Sequence, residues 1–128
     1  MQLSGAVVVL AAGLGTRIGV PKAIMPFGNS TFLQCCLDKL SGLDFSFSAV
    51  VVNSAVLDSI REELPPSFQL VLNPKPQTGQ LESLRLALNA GAANFPWTLV
   101  MLVDLPAVSS KTVRSLVTSA EQQPENFW

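Results

Sequence analysis

Four times along the chain, an apolar run of strand length is followed by an amphipathic stretch of helix length. Gly5–Ala11 reads as a strand, and Ser30–Leu40 as a helix with Ser30 or Thr31 as its cap. Phe32, Leu33, Cys36, Leu37 and Leu40 fall on one stripe of it, and Gly42 stops it. Phe47–Asn53 is a second strand, and Ser54–Leu64 a helix ended by Pro65-Pro66. Phe68–Leu72 is a third strand, followed by a helix over Leu81–Ala92 with Leu81, Leu84, Leu88 and Ala92 at helical spacing. Trp97–Val103 is the fourth strand, and Ser109–Ser119 a helix capped by Ser109 or Ser110. This alternation predicts an α/β fold whose neighbouring strands are parallel. Such strands are covered by helices on both faces, which fits a chain that is 48% hydrophobic and only 13% charged; a surface built for a partner is the alternative. The 128 residues fit one domain, and no internal repeat or linker divides them.

Charge and composition remove several classes of function. The net charge of −1 and the absence of a basic cluster argue against duplex nucleic acid. The apolar runs are too short for a membrane helix, and the N-terminus lacks the cationic start of a secretory signal. Cys35 and Cys36 are adjacent, a poor geometry for a disulfide, and no histidine exists to complete a metal site with them. They are expected on a helix as small hydrophobes in a reducing compartment, which suggests the cytoplasm.

Ligands of open α/β sheets bind beyond the carboxyl ends of the strands. The first of those ends carries L-A-A-G-L-G-T-R-I-G-V-P-K, from Leu10 to Lys22. Its small residues let backbone N–H groups approach a ligand, and Arg17 and Lys22 supply charge for phosphate. The other ends hold Asn53, the segment Asn73–Gly79, and Asp104. Two familiar phosphate templates fit poorly. No glycine is followed by Lys-Ser or Lys-Thr, as a P-loop requires. Gly13, Gly15 and Gly19 are one residue too widely spaced for a dinucleotide fingerprint, and the second strand ends in Asn53 rather than an acid.

The loop resembles the signature of nucleotidyltransferases with a GT-A-like fold, L-A-A-G-x-G/S-x-R-M/F-G-x-x-K. Asn73 with Gly79-Gln80-Leu81-Glu82-Ser83-Leu84, and Asp104-Leu105-Pro106 after the fourth strand, look like the N…G-x-x-x-S-L and D-M/L-P segments of the molybdenum-cofactor cytidylyl- and guanylyltransferase (MobA/MocA-like) branch. The resemblance implies a three-layer, Rossmann-like, mostly parallel sheet and an Mg2+-dependent enzyme. It would transfer a nucleoside monophosphate from CTP or GTP to a phosphorylated small-molecule acceptor such as molybdopterin, releasing pyrophosphate. Sugar-phosphate acceptors, or a non-catalytic nucleotide-binding fragment, are the alternatives. Carried over residue by residue, Leu10, Ala11, Ala12 and Gly13 would lie along the nucleotide. Gly15, Thr16 and Arg17 would hold the outer phosphates, and Lys22 the α-phosphate. Asn73, Gly79 and Ser83 would close the nucleoside pocket, and Asp104 would bind magnesium. Alanine at position 12 resembles cytidylyl-type members more than guanylyl-type ones.

An acceptor phosphate is already ionised at neutral pH, so a chain without histidine can support this chemistry by positioning and charge neutralisation alone. Members of the family run well past residue 128 and carry a further acidic metal ligand there. The resemblance therefore implies a truncated member, with a sheet incomplete at its C-terminal side.

Overall fold

The computed structural model describes residues 2–12, 26–27, 30–40, 42–54, 57, 60, 64–74, 80–103 and 109–122. Its centre is a four-stranded parallel sheet in the order β5-β4-β1-β6. The strands are β1 (Ala6–Ala11), β4 (Phe47–Val52), β5 (Gln69–Leu72) and β6 (Thr98–Leu102). Three helices are described in full: α1 (Phe32–Lys39), α2 (Gln80–Ala90) and α3 (Ser110–Gln122). Ser54, Leu57 and Ile60 are also helical, with Leu57 N–H donating to the Asn53 carbonyl and Leu64 N–H to that of Ile60. These assignments bear out the α/β reading and its parallel neighbours.

β1 is the middle of the molecule, and all six of its residues are buried. Its β-branched valines suit a pleated strand packed on both sides. Val7, Val9 and Ala11 face one core, with Leu33, Cys36 and Leu37 of α1, Ile60, and Val113, Val117 and Ala120 of α3. Ala6, Val8, Leu10 and Ala12 face the other, with Ala87 of α2 and partly buried Leu84 and Leu88. Period-two alternation thus divides one apolar run between two helical layers.

The distribution of helices follows from strand order. β1 to β4 to β5 steps outward in one direction, and the helices on those connections share a face. β5 to β6 returns past β4 and β1, so a crossover of the same hand must use the opposite face, where α2 lies.

Local chemistry sets the element ends. Thr31 caps α1, its Oγ1 accepting from Gln34 N–H at 3.1 Å. Gly42, at φ +87°, turns the chain after it. Ser109 is the cap of α3, its Oγ accepting from Thr112 N–H at 3.1 Å. At the base of the sheet, Glu121 Oε1 accepts from Ser4 N–H, Ser4 Oγ–H and Trp97 Nε1–H, fastening α3 to the chain start and to the entry of β6.

Three details differ from expectation. A two-stranded antiparallel hairpin, β2 (Pro26–Phe27) with β3 (Ser30–Thr31), precedes α1, and its strands are too short to leave a periodic signal. α2 stops at Ala90 rather than Ala92, because Gly91 adopts φ +148° and a 3₁₀ turn over Ala92–Asn94 follows. Leu81 is 79% exposed, not on the buried stripe. In the first turn of α2 the buried position belongs to Ser83 instead.

Candidate functional site at the carboxyl edge of the sheet

Strand register lines up the carboxyl ends. Ala11 pairs with Val52, Val52 with Leu72, and Leu10 with Leu102. The residues that follow, Ala12, Asn53, Asn73 and Val103, therefore leave the sheet along one edge. Strand order reverses beside β1, since β4 and β6 flank it while the chain visits β5 between them. A crevice at that switch point is where such sheets take ligands.

Three polar side chains are buried in the core of this edge. Asn53, Asn73 and Ser83 are 1%, 1% and 3% exposed. Asn53 Nδ2 donates to the Ala12 carbonyl at 3.0 Å. Asn73 N–H donates to the Val52 carbonyl at 2.8 Å, and Asn73 Nδ2 to Ser83 Oγ at 2.9 Å. Val103 N–H reaches the Leu10 carbonyl at 3.3 Å. Buried amides are costly unless paired, and here the pairing ties β1, β4, β5 and α2 together at one end. No buried side-chain nitrogen or oxygen among the described residues lacks a partner.

Of the residues expected at the site, the structure brings Ala12, Asn73 and Ser83 to this edge. Leu10 and Ala11 lie within β1, their side chains in the two cores. Gly13, Gly15, Thr16, Arg17, Lys22, Gly79 and Asp104 lie outside the described residues. Asn53, expected at this edge as the end of the second strand but given no role there, is brought to it as well. The available signal was a lone polar residue closing the otherwise apolar V-V-V run.

The electrostatics of the described edge are neutral: two amides and one hydroxyl. Buried and paired within the protein, these groups hold the strand ends together without bringing charge to the edge. Among the described residues no three His, Cys, Asp or Glu side chains gather to hold a metal. A separate apolar groove of about 320 Å³, lined by Trp97, Leu99, Val100, Leu116 and Ala120 among others, lies along the amino half of β6, away from the carboxyl edge. No described helix is long and apolar enough to cross a membrane.

A doubly covered parallel sheet with a polar edge at its switch point is a Rossmann-like nucleotide-binding architecture. Its sequence carries that class to a family: residues 7–128 match the MobA-like NTP transferase domain, and the chain belongs to that family of nucleotidyltransferases. The chain is 33% identical over 119 residues to a probable molybdenum cofactor guanylyltransferase of Rhodopirellula baltica. That match covers 91% of this chain and 56% of the relative, so the chain spans about half the relative's length. Among solved structures, Rv0371c of Mycobacterium tuberculosis superposes with a TM-score of 0.80 at 25% identity, over 95% of this chain and 63% of that one. The same protein has been solved as a manganese complex, with a TM-score of 0.69 at 24% identity over 93% of this chain and 60% of that one. A 4-diphosphocytidyl-2C-methyl-D-erythritol synthase of Anaerococcus prevotii shares the fold at 18% identity, with a TM-score of 0.75 over 93% of this chain and 51% of that one.

Proposed function

We propose that this chain is the nucleotide-binding part of an enzyme that transfers a nucleoside monophosphate from CTP or GTP to a phosphorylated small molecule of the molybdopterin type. The observation that carries the reading is the carboxyl edge, where Ala12, at the mouth of the glycine-rich segment, is tied to Asn53, and Asn73 to Ser83. The family membership and the name of the Rhodopirellula relative support it.

In the proposed reaction an acceptor phosphate oxygen bonds to the α-phosphorus as the bond to pyrophosphate breaks. The acceptor arrives ionised, so no proton must be removed, and a chain without histidine suffices. Arg17 and Lys22 are assigned to the phosphate oxygens, Lys22 to the α-phosphate where charge builds. Asn73 and Ser83 hold the wall that receives the nucleoside. Asp104 is assigned to a divalent cation, magnesium, which when bound would neutralise phosphate charge. The manganese complex of Rv0371c is in keeping with a divalent ion in this fold. The base is the open choice: alanine at position 12 favours CTP, and the name of the Rhodopirellula relative favours GTP.

A second reading is that the chain binds nucleotide without turning it over. Pyrophosphate release from CTP or GTP, with magnesium and molybdopterin, separates the two. Release abolished by Asp104→Asn supports the enzyme. Nucleotide binding without release supports the binding unit, and neither binding nor release sinks both.

A further inference from the structure

We infer that the open edge of β6 is a self-association surface, pairing antiparallel with β6 of a second copy of this chain about a two-fold axis at Val100. β6 ends the sheet, bonded to β1 on one side and, among the described residues, to no strand on the other. Along a strand, successive residues turn their backbone groups to opposite sides. Ala6 N–H donates to the Trp97 carbonyl, and Val103 N–H to the Leu10 carbonyl. Trp97, Leu99, Met101 and Val103 therefore face β1 with their backbone groups. Thr98, Val100 and Leu102 turn theirs, N–H and C=O alike, along the open edge. Val100 is the midpoint of β6 (Thr98–Leu102). Two such edges set antiparallel about Val100 match without an offset. Val100 exchanges both backbone bonds with its own counterpart, and Thr98 does the same with the partner's Leu102.

The chemistry around the edge selects a second copy as the occupant. At a two-fold axis a side chain meets its own counterpart, so any charge there is opposed by the same charge. No charged residue occurs from Ala92 to Val103. Sheets commonly guard a free edge with lysine, proline or a bulge; β6 is T-L-V-M-L in unbroken register with β1 and carries none of these. Both faces beside the edge are apolar. Val100, paired with Val8, lies on the α2 face and is 38% exposed. On the other face Leu99 and Leu116 line the groove between β6 and α3, and Leu116 is 43% exposed. Leu116 lies midway along α3, and its neighbours on that flank, Thr112 and Ser119, are uncharged. The charged residues of α3, Lys111, Arg114 and Glu121, fall on the opposite side of the helix. A charged partner would find no counter-charge here, whereas a second copy meets an equally neutral surface. Antiparallel pairing also points the carboxyl edges of the two sheets in opposite directions, so both candidate sites stay open.

Sedimentation equilibrium of the parent chain, from low micromolar concentration upward, should show a monomer–dimer equilibrium. Val100→Lys and Val100→Glu, each shown folded by circular dichroism, should raise the dimer dissociation constant by about tenfold or more, because like charges then meet at the axis. An equimolar mixture of the two should recover the parent's association, since lysine then faces glutamate. If a Val100 variant does not fold, Leu116→Lys and Leu116→Glu, at an exposed position beside the same axis, carry the same comparison. A parent that stays monomeric at every concentration overturns the proposal and leaves the edge to an extended segment of a different chain. A dimer that persists in both charged variants, or a mixture that associates no better than either variant alone, overturns the pairing at Val100. Nucleotide affinity plays no part in these readouts, so the nucleotide reading stands or falls separately.

Discussion

Asn73 and Ser83 show how a single contact at this edge is weighted. Ser83 is buried in the first turn of α2, and its hydroxyl accepts from the Asn73 amide. Ser83→Ala removes that acceptor where water cannot replace it, and should cost about 1–3 kcal/mol in urea unfolding. A cost near zero would show that the pair adds nothing to holding β5 against α2. Cys36 behaves in the opposite sense. Burial pushes its thiol from the ordinary 9.0 up to about 11, against a smaller opposing pull from Lys39. The folded protein therefore holds the proton after the unfolded chain has released it. The stabilisation is whole below pH 9 and fades as pH rises from about 9 through 11. Urea midpoints of the parent and Cys36→Ala should differ in slope only over that window. Lys22 carries the reaction reading: Lys22→Ala should lower turnover by roughly 10²–10³, about 3–4 kcal/mol, as for loss of one preorganised donor. An effect under about threefold would reject its place on the α-phosphate.

Elements meet in this fold through a few close approaches that tolerate no extra atom. A Cβ at Gly5, just before β1, would fall inside the Trp97 indole. That ring is already held edge-on to Phe45, with centroids 6.1 Å apart, and donates from Nε1 to Glu121. Gly5→Ala must push β1, β6 and α3 apart, and should destabilise by about 1–3 kcal/mol in chemical denaturation. Gly5 was legible from sequence only as the start of an apolar run, because the ring that fills its space comes from ninety-two residues away in the chain. Element identity was far easier to read. Four strands and their helices lie where valine runs, caps and helical spacing put them, since these are local signals. The failures are local signals overruled. Leu81 has the right spacing but lies at the exposed start of α2, and Gly91 ends that helix by its backbone angle alone.

At the scale of the whole molecule, function depends on the carboxyl edge staying assembled. A ligand that binds there binds only the folded chain, so it must raise the midpoint of unfolding. CTP or GTP with magnesium at 100 times Kd should stabilise by about 2.7 kcal/mol, a Tm rise on the order of 10 °C for a chain of this length. NADH should give none. A rise with NADH alone would return the chain to the dinucleotide-binding class set aside for its glycine spacing.

The class of fold, the parallel strands and the family were open to reading in the letters, because each rests on short-range pattern: strand-length valine runs, helix caps and a loop motif thirteen residues long. Part of the candidate site was open in the same way, through Asn73 and Ser83, whose spacing belongs to a motif. The role of Asn53 was not. It lies in a contact with Ala12, forty-one residues earlier, which exists only because β1 and β4 lie side by side in one register. Strand order, the face each helix covers and the pairing of buried amides are long-range choices. Packing and hydrogen-bond satisfaction settle them after the chain has folded back on itself, and no local window contains them.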